Sequence, residues 1–372
     1  MNLLNKYKDK ISHFDIYIGR GTPVGNPYVI GKHAERDECI DIYDPYLLSQ
    51  IVNENPQIMK FFKDLKDEDN LYCFCKPKRC HGDIIIKYYE ELKILGLEKF
   101  KEKYQSTLGH PLTDGIDHIN IYSKGKTELG HLLSNFSFSP FKHPEYGKFV
   151  SIEGFWHWLS TGQKEDKLRE LYGYQAKELG KNLQTVEVKD FYFQITKALR
   201  YKINQDKHLR KLLYESVLPF KHYYTYGNEN NCKIITTMGG FWLAYQFEKI
   251  RQEEKNKGYS LIIAGSRDIS DYDLVKKFYL DSGFKPSEIV SGRCRGVDIL
   301  GERISREILG KEPVMFPADW KGKGKGAGYI RNGEMGDYAH GLLAIQKNNS
   351  NGTQDMIDKA IKLGLDVKVY KV

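Results

Sequence analysis

The apolar positions of this chain change period twice. Short strand-spaced runs at 14–18 and 71–74 alternate with helix-spaced stretches at about 46–62 and 83–95. From about 118 to 251 the period is mostly helical. From 259 onward strand and helix patterns alternate again, with strands expected at 259–264, 288–290, 313–316, 341–345 and 366–370. Such alternation predicts a parallel sheet with helices on both faces. The pattern therefore predicts an α/β protein of three units: a small α/β unit at 1–97, a mainly helical unit at 118–251, and a Rossmann-like unit at 259–372. Residues 98–117 and the polar run 252–258 read as connectors.

Each of three turns in the last unit follows an apolar run and opens a helical pattern: Gly265-Ser266-Arg267, Ser291-Gly292 through Gly296 to Asp298, and Ser350-Asn351-Gly352-Thr353. Small residues let the backbone approach a phosphate, and a helix N-terminus offers free N–H groups and a positive dipole end. Arg331 and Asn332 stand where another loop enters a helix, and an Arg there suits a forked phosphate contact. Asp298 fits either a ribose hydroxyl or first-turn helix stabilisation. The basic run Lys321-Gly322-Lys323-Gly324-Lys325 reads as a phosphate cover or as a solvated loop.

Composition narrows the classes. At 372 residues with a formal charge of +8 and pI near 8.8, the chain admits an anionic small molecule or nucleic acid as partner. Its Lys and Arg are interspersed with Asp and Glu, which reads first as a solvated surface. No apolar run approaches the ~18 residues of a membrane span, and the start has no signal-peptide run, so a cytoplasmic protein without a membrane partner is expected. Six cysteines read as reduced thiols. A homo-oligomer is left open, and no cofactor is expected.

In the middle unit, Ile152, Phe155, Trp156 and Leu159 form a helical apolar stripe, with Glu153 and His157 four apart at its edge. A carboxylate beside an aromatic wall suits acid–base chemistry. The same spacing fits a first-turn glutamate and a packed histidine. In the first unit, Gly19-Arg20-Gly21 through Asn26-Pro27 is a Gly/Pro-rich turn presenting one Arg, either a phosphate cradle or a braced structural turn. Cys73, Cys75, Cys80 and His81 make C-x-C-x4-C-H. The expectation is a metal-free thiol cluster beside a ligand-facing His81, with zinc as the alternative.

The C-terminal motifs GSR, SGxxxGxD, PADW, AGxxRN and SxGT, in that order, resemble the SLOG (LOG/DprA) superfamily, in particular its YspA-like branch. The resemblance implies a Rossmann-like fold binding a nucleotide-type ligand. The PGGxGTxxE motif of its hydrolytic members is replaced here by Ser350-Asn351-Gly352-Thr353-Gln354-Asp355. Residues 118–251 resemble the NADAR (YbiA-like) family through Asn120-Ile121-Tyr122-Ser123, Leu133-Ser134-Asn135-Phe136-Ser137 and Ser151-Ile152-Glu153-Gly154-Phe155-Trp156. That resemblance implies cleavage of N-glycosidic bonds in NAD-, ADP-ribose- or purine-nucleotide-derived substrates. It puts Glu153 on the family's glutamate and Asn135 and Phe136 on its SNF motif. The expected site is completed by His157 beside Glu153 and by Phe136, Trp156, Tyr224 or Tyr226 stacking on the base. The Gly-Arg-Gly-Thr-Pro and Cys-His-Gly-Asp segments are similar to a small domain of unknown function common in phage genomes. The function expected is an N-glycosidase joined to a nucleotide-binding domain. The alternatives are a protein that sequesters a nucleotide signal in phage–host conflict and a modifier or repairer of nucleic-acid bases.

Overall fold

The computed structural model describes residues 1–228, 231–348 and 350–372. They form two compact units: residues 1–201 with 217–249, and residues 202–216 with 250–372. Both are α/β. No helix among the described residues is long and apolar enough to cross a membrane.

The first unit opens on a three-stranded parallel sheet in the order Asn2–Asn5, Asn70–Cys73, Ile16–Tyr17. The single helix expected near 46–62 is two, Arg36–Val52 and Pro56–Asp64. The break is local chemistry. The Asn55 side chain accepts from Gln57 N and Ile58 N, and Pro56 occupies the first helical turn, where a missing N–H does no harm. The next helix, His81–Gln105, runs past the expected end at 95, but Gly96 interrupts it at φ 71, a left-handed value that glycine tolerates. Residues 98–105 of the expected connector are thus helical.

Helices dominate the stretch from 118 onward, with short ladders between them. Ile119–Asn120 pairs in parallel with Phe220–Lys221, and Tyr224–Asn228 pairs antiparallel with Asn231–Ile235. These residues share one unit with the N-terminal sheet. The Trp242 indole donates to His33 O at 2.7 Å, and the Tyr28 hydroxyl donates to Met238 O at 2.9 Å. Both rings are buried, so these bonds satisfy polar groups that water does not reach.

The second unit holds a five-stranded, all-parallel sheet in the order Val314–Met315, Glu288–Ser291, Ser260–Gly265, Gly341–Gln346, Asp366–Lys371. All five expected strands are present. In chain order they run 3-2-1-4-5, so the order reverses between Ser260–Gly265 and Gly341–Gln346. Alternate residues of each strand feed the two faces: Ile262, Val290 and Leu342 enter one core, and Leu261, Ile263, Ile289 and Leu343 the other. The polar run 252–258 is largely helix, because Met238–Lys257 continues through it. Helix Lys207–Glu215 also belongs to this unit, and its Arg210 pairs with the buried Glu254 at 2.7 Å.

Candidate functional site

A cavity of about 570 Å³ opens where the strand order reverses, at the carboxyl ends of the strands. This is where open parallel sheets bind ligands, because the flanking loops diverge there and leave a crevice. Eight residues expected from sequence line it: Gly265, Arg267, Asp298, Arg331, Asn332, Ser350, Gly352 and Thr353. The cations Arg267, Arg295, Lys325, Arg331 and Lys347 face it against Asp268 and Asp298, so its field favours an anion. Helix Val297–Ile304 starts at Gly296, and helix Asn351–Lys362 starts at Ser350, whose side chain does not cap it. Both place backbone donors near the cavity, at the positive ends of their dipoles.

Ser266, Ser291, Gly292 and Gly296, also expected to touch the ligand, support the wall instead. Ser266 Oγ accepts from Lys347 N at 2.8 Å and ties the two strands of the switch point together. Ser291 Oγ donates to Glu302 Oε1 at 2.8 Å and is fully buried. A Cβ on Gly292 would lie 1.7 Å from Arg331 Nη1, so this glycine makes room for the guanidinium, not for a ligand. Gly296, at φ 84, passes Ser266 O so closely that a Cβ would stand 2.4 Å from it.

Arg331 is anchored from several sides. It donates to Gly292 O and to Asn332 Oδ1 at 3.1 Å, and it lies 3.8 Å from the Asp298 carboxylate. Burial pushes the Asp298 carboxyl up to about 6, while the Arg331 charge pulls the other way. Asn332 donates to Gly352 O at 3.2 Å and Asp355 Oδ2 at 2.8 Å, joining its helix to the SxGT turn. Lys347 and Tyr329, which the motifs do not single out, also line the cavity; both lie within or beside those motifs, and only the fold turns them inward. From the basic run, Lys325 alone is among the cavity residues.

Glu153 sits in the first turn of helix Ile152–Ser160, which Ser151 caps through its hydroxyl to Gly154 N. Its backbone N–H donates to Asn135 O at 2.9 Å, and its carboxylate lies 3.3 Å from His157 Nε2. Both side chains are largely buried. Asn135 Oδ1 is buried and has no partner among the described residues. Two groups feel the Glu153 charge. Burial pushes His222 down, with the Ile121 carbonyl and Glu153 opposing it; burial pushes the Tyr224 phenol up, and Glu153 adds to that. The Ile121 carbonyl can only accept, so His222 Nδ1 carries the proton and Nε2 accepts from the Tyr224 hydroxyl at 3.1 Å. The structure thus gathers Asn135, Glu153, His157, His222 and Tyr224, of which His222 was not foreseen.

The aromatic candidates divide. Tyr224 packs on Tyr122 and Phe136 on Tyr174, each with centroids 5.4 Å apart. Trp156 packs on Phe191 at 4.8 Å, in a cluster with Tyr192. Tyr226 is exposed. The buried stripe of this helix runs through Trp158 and not Trp156, because a 3.6-residue period carries the core face from Phe155 to Trp158 and Leu159.

In the N-terminal turn, Asn26 braces the loop, donating to Cys39 O at 3.0 Å and accepting from Tyr28 N at 2.9 Å, and it also lines the cavity beside it. Gly19 and Arg20 line a cavity of about 280 Å³ with Arg36, Cys75 and His81. Gly21, at φ 91, shapes the turn. Cys80 is buried beneath, at the head of helix His81–Gln105.

The N-terminal sequence matches a family model. Residues 2–91 fit the domain of unknown function DUF4326. An uncharacterised 12.4 kDa protein from the nrdA–td intergenic region of Enterobacteria phage T4 is 36% identical over 104 residues, 28% of this chain and 83% of that protein. Through this N-terminal segment the chain belongs to that phage-associated family of unknown function. No solved structure matches it.

Proposed function

We propose that the C-terminal unit binds a nucleotide-type anion and that Glu153, in the first unit, supports cleavage of an N-glycosidic bond in an NAD-, ADP-ribose- or purine-nucleotide-derived substrate. The observation that carries the first part is a cation-rich cavity, flanked by two helix N-termini, at the switch point of a 3-2-1-4-5 parallel sheet. A phosphate fits the backbone donors and arginines, and the remaining volume suits a nucleoside.

The catalytic part rests on the Glu153 cluster and on its resemblance to the NADAR motif. As the bond between the base nitrogen and C1′ breaks, its electron pair leaves with the base and positive charge builds on the ribose. A nearby carboxylate stabilises that charge. Water then adds to C1′ and passes a proton to the carboxylate, which gives it up to the departed base, or to solvent where the base leaves neutral. His157, 3.3 Å away, orients Glu153.

The second reading is capture without turnover. It is favoured by the C-terminal cavity itself, whose buried carboxylate, Asp298, is engaged by Arg331. Incubating the full chain with a nucleotide panel, with calorimetry for binding and mass spectrometry for products, separates the two. Released base with multiple turnovers supports the enzyme. Stoichiometric binding without product supports capture, and no binding of any nucleotide rejects both.

A further inference from the structure

We infer that Cys73, Cys75, Cys80 and His81 form a zinc site that pins the N-terminal domain around its own cavity. One donor atom from each residue lies within 4.8 Å of the other three. Ligands about 2.3 Å from a tetrahedral zinc stand ~3.8 Å apart. Cys80 Sγ and His81 Nδ1 are already at 3.8 Å, and Cys73 Sγ and Cys80 Sγ, at 2.9 Å, need to part by ~0.9 Å.

The histidine carries the argument. His81 Nε2 lies 2.8 Å from Ile18 O, a carbonyl that can only accept. In the neutral ring Nε2 therefore holds the proton, and the lone pair is on Nδ1, which faces the sulfurs. A ring held by a backbone carbonyl with its other nitrogen turned to thiols is the arrangement that fixes a metal-binding tautomer. The sulfurs are prepared too. Cys73 Sγ accepts from Cys75 N at 3.3 Å and Cys80 Sγ accepts from Gly82 N at 3.3 Å, donors that stabilise thiolate. Cys80 caps helix His81–Gln105, so the positive end of its dipole faces the cluster.

Three thiolates and one imidazole select zinc among the common divalent ions and leave no open position for substrate. Binding is an exchange without redox: each thiol loses its proton to solvent as its sulfur takes the metal. The ion would lock the strand Asn70–Cys73, the turn that follows it and the start of the helix. These carry Cys73, Cys75 and His81 to the wall of the cavity where Arg20 and Arg36 are presented. Adjacent ligands such as Cys80 and His81 are uncommon, so spacing alone favours metal-free thiols. The helix start resolves this by turning the two side chains onto one point.

The test uses the full chain, purified untagged and without chelator. Elemental analysis should find about one zinc per chain, and Co²⁺ exchanged into wild type should give the intense d–d and sulfur charge-transfer bands of tetrahedral thiolate ligation. Cys75→Ser, a small change at the least buried ligand, should lower retained metal to below about a fifth of an equivalent while circular dichroism stays folded. The proposal is overturned if reduced wild type neither retains zinc nor gives the cobalt bands. It is equally overturned if a Cys73→Ala/Cys80→Ala variant keeps one equivalent, or if mass analysis of unreduced protein shows a Cys73–Cys80 disulfide in place of metal.

Discussion

The guanidinium of Arg331 lies 3.8 Å from the carboxylate of Asp298, and both groups are buried at the edge of the C-terminal cavity. Asp298 lies in the first turn of helix Val297–Ile304, whereas Arg331 lies in the second turn of helix Ala327–Tyr338 and not at the loop–helix junction expected from sequence; Gly292 is small so that they can meet. The pair sets the charge that a ligand encounters.

Arg331→Ala should weaken nucleotide binding by the roughly 1.5–3 kcal/mol of a lost charge-assisted contact. Gly292→Val should act through the same group, since its side chain would displace the guanidinium. The two should therefore be strongly non-additive in a double-mutant cycle by calorimetry. Additive losses would mean that Gly292 has a role apart from Arg331.

Asp298 should make stability depend on pH. Its folded value of about 6 lies above the reference 3.8. Between those values the folded chain holds a proton that the unfolded chain has lost, so stability falls as pH rises through the window. Compared with Asp298→Asn, wild type should lose roughly 1–3 kcal/mol from pH 4 to pH 6.5 in denaturant titrations. A flat difference across that range would contradict the raised value.

Gly296→Ala should destabilise the second unit by about 2–4 kcal/mol. Two causes add: a φ of 84 that alanine resists, and a Cβ that would stand 2.4 Å from Ser266 O. Gly352→Ala, where a Cβ would meet nothing within 4 Å, is the control and should change thermal unfolding little.

Glu153→Gln removes the carboxylate charge with almost no change of shape. Cleavage should fall at least ~10²-fold, the effect typical of losing one acid–base or electrostatic group, while substrate binding changes far less. His157→Ala should lower both stability and turnover, because His157 holds Glu153 and packs against Gly180. Product analysis under saturating substrate reads both, and full turnover in Glu153→Gln would remove this glutamate from catalysis.

Local patterns determined much of this protein. The five C-terminal strands were legible because apolar runs bounded by glycine turns form strands almost regardless of context, and the helix starts at Ser151 and Ser350 followed from the patterns there, whereas the break at Asn55 was not read. The helix through 252–257 was not legible, since a polar sequence takes its structure from what it packs on, here through the Arg210–Glu254 pair. Only the tertiary structure decided which motif residues face the cavity and which hold its wall. Ser266, Ser291, Gly292 and Gly296 share motifs with lining residues, but strand register and helix approach turn them away. It alone brought His222 to Glu153 and turned His81 Nδ1 toward three sulfurs. Those relationships depend on where distant segments meet, and spacing along a chain carries no such distance.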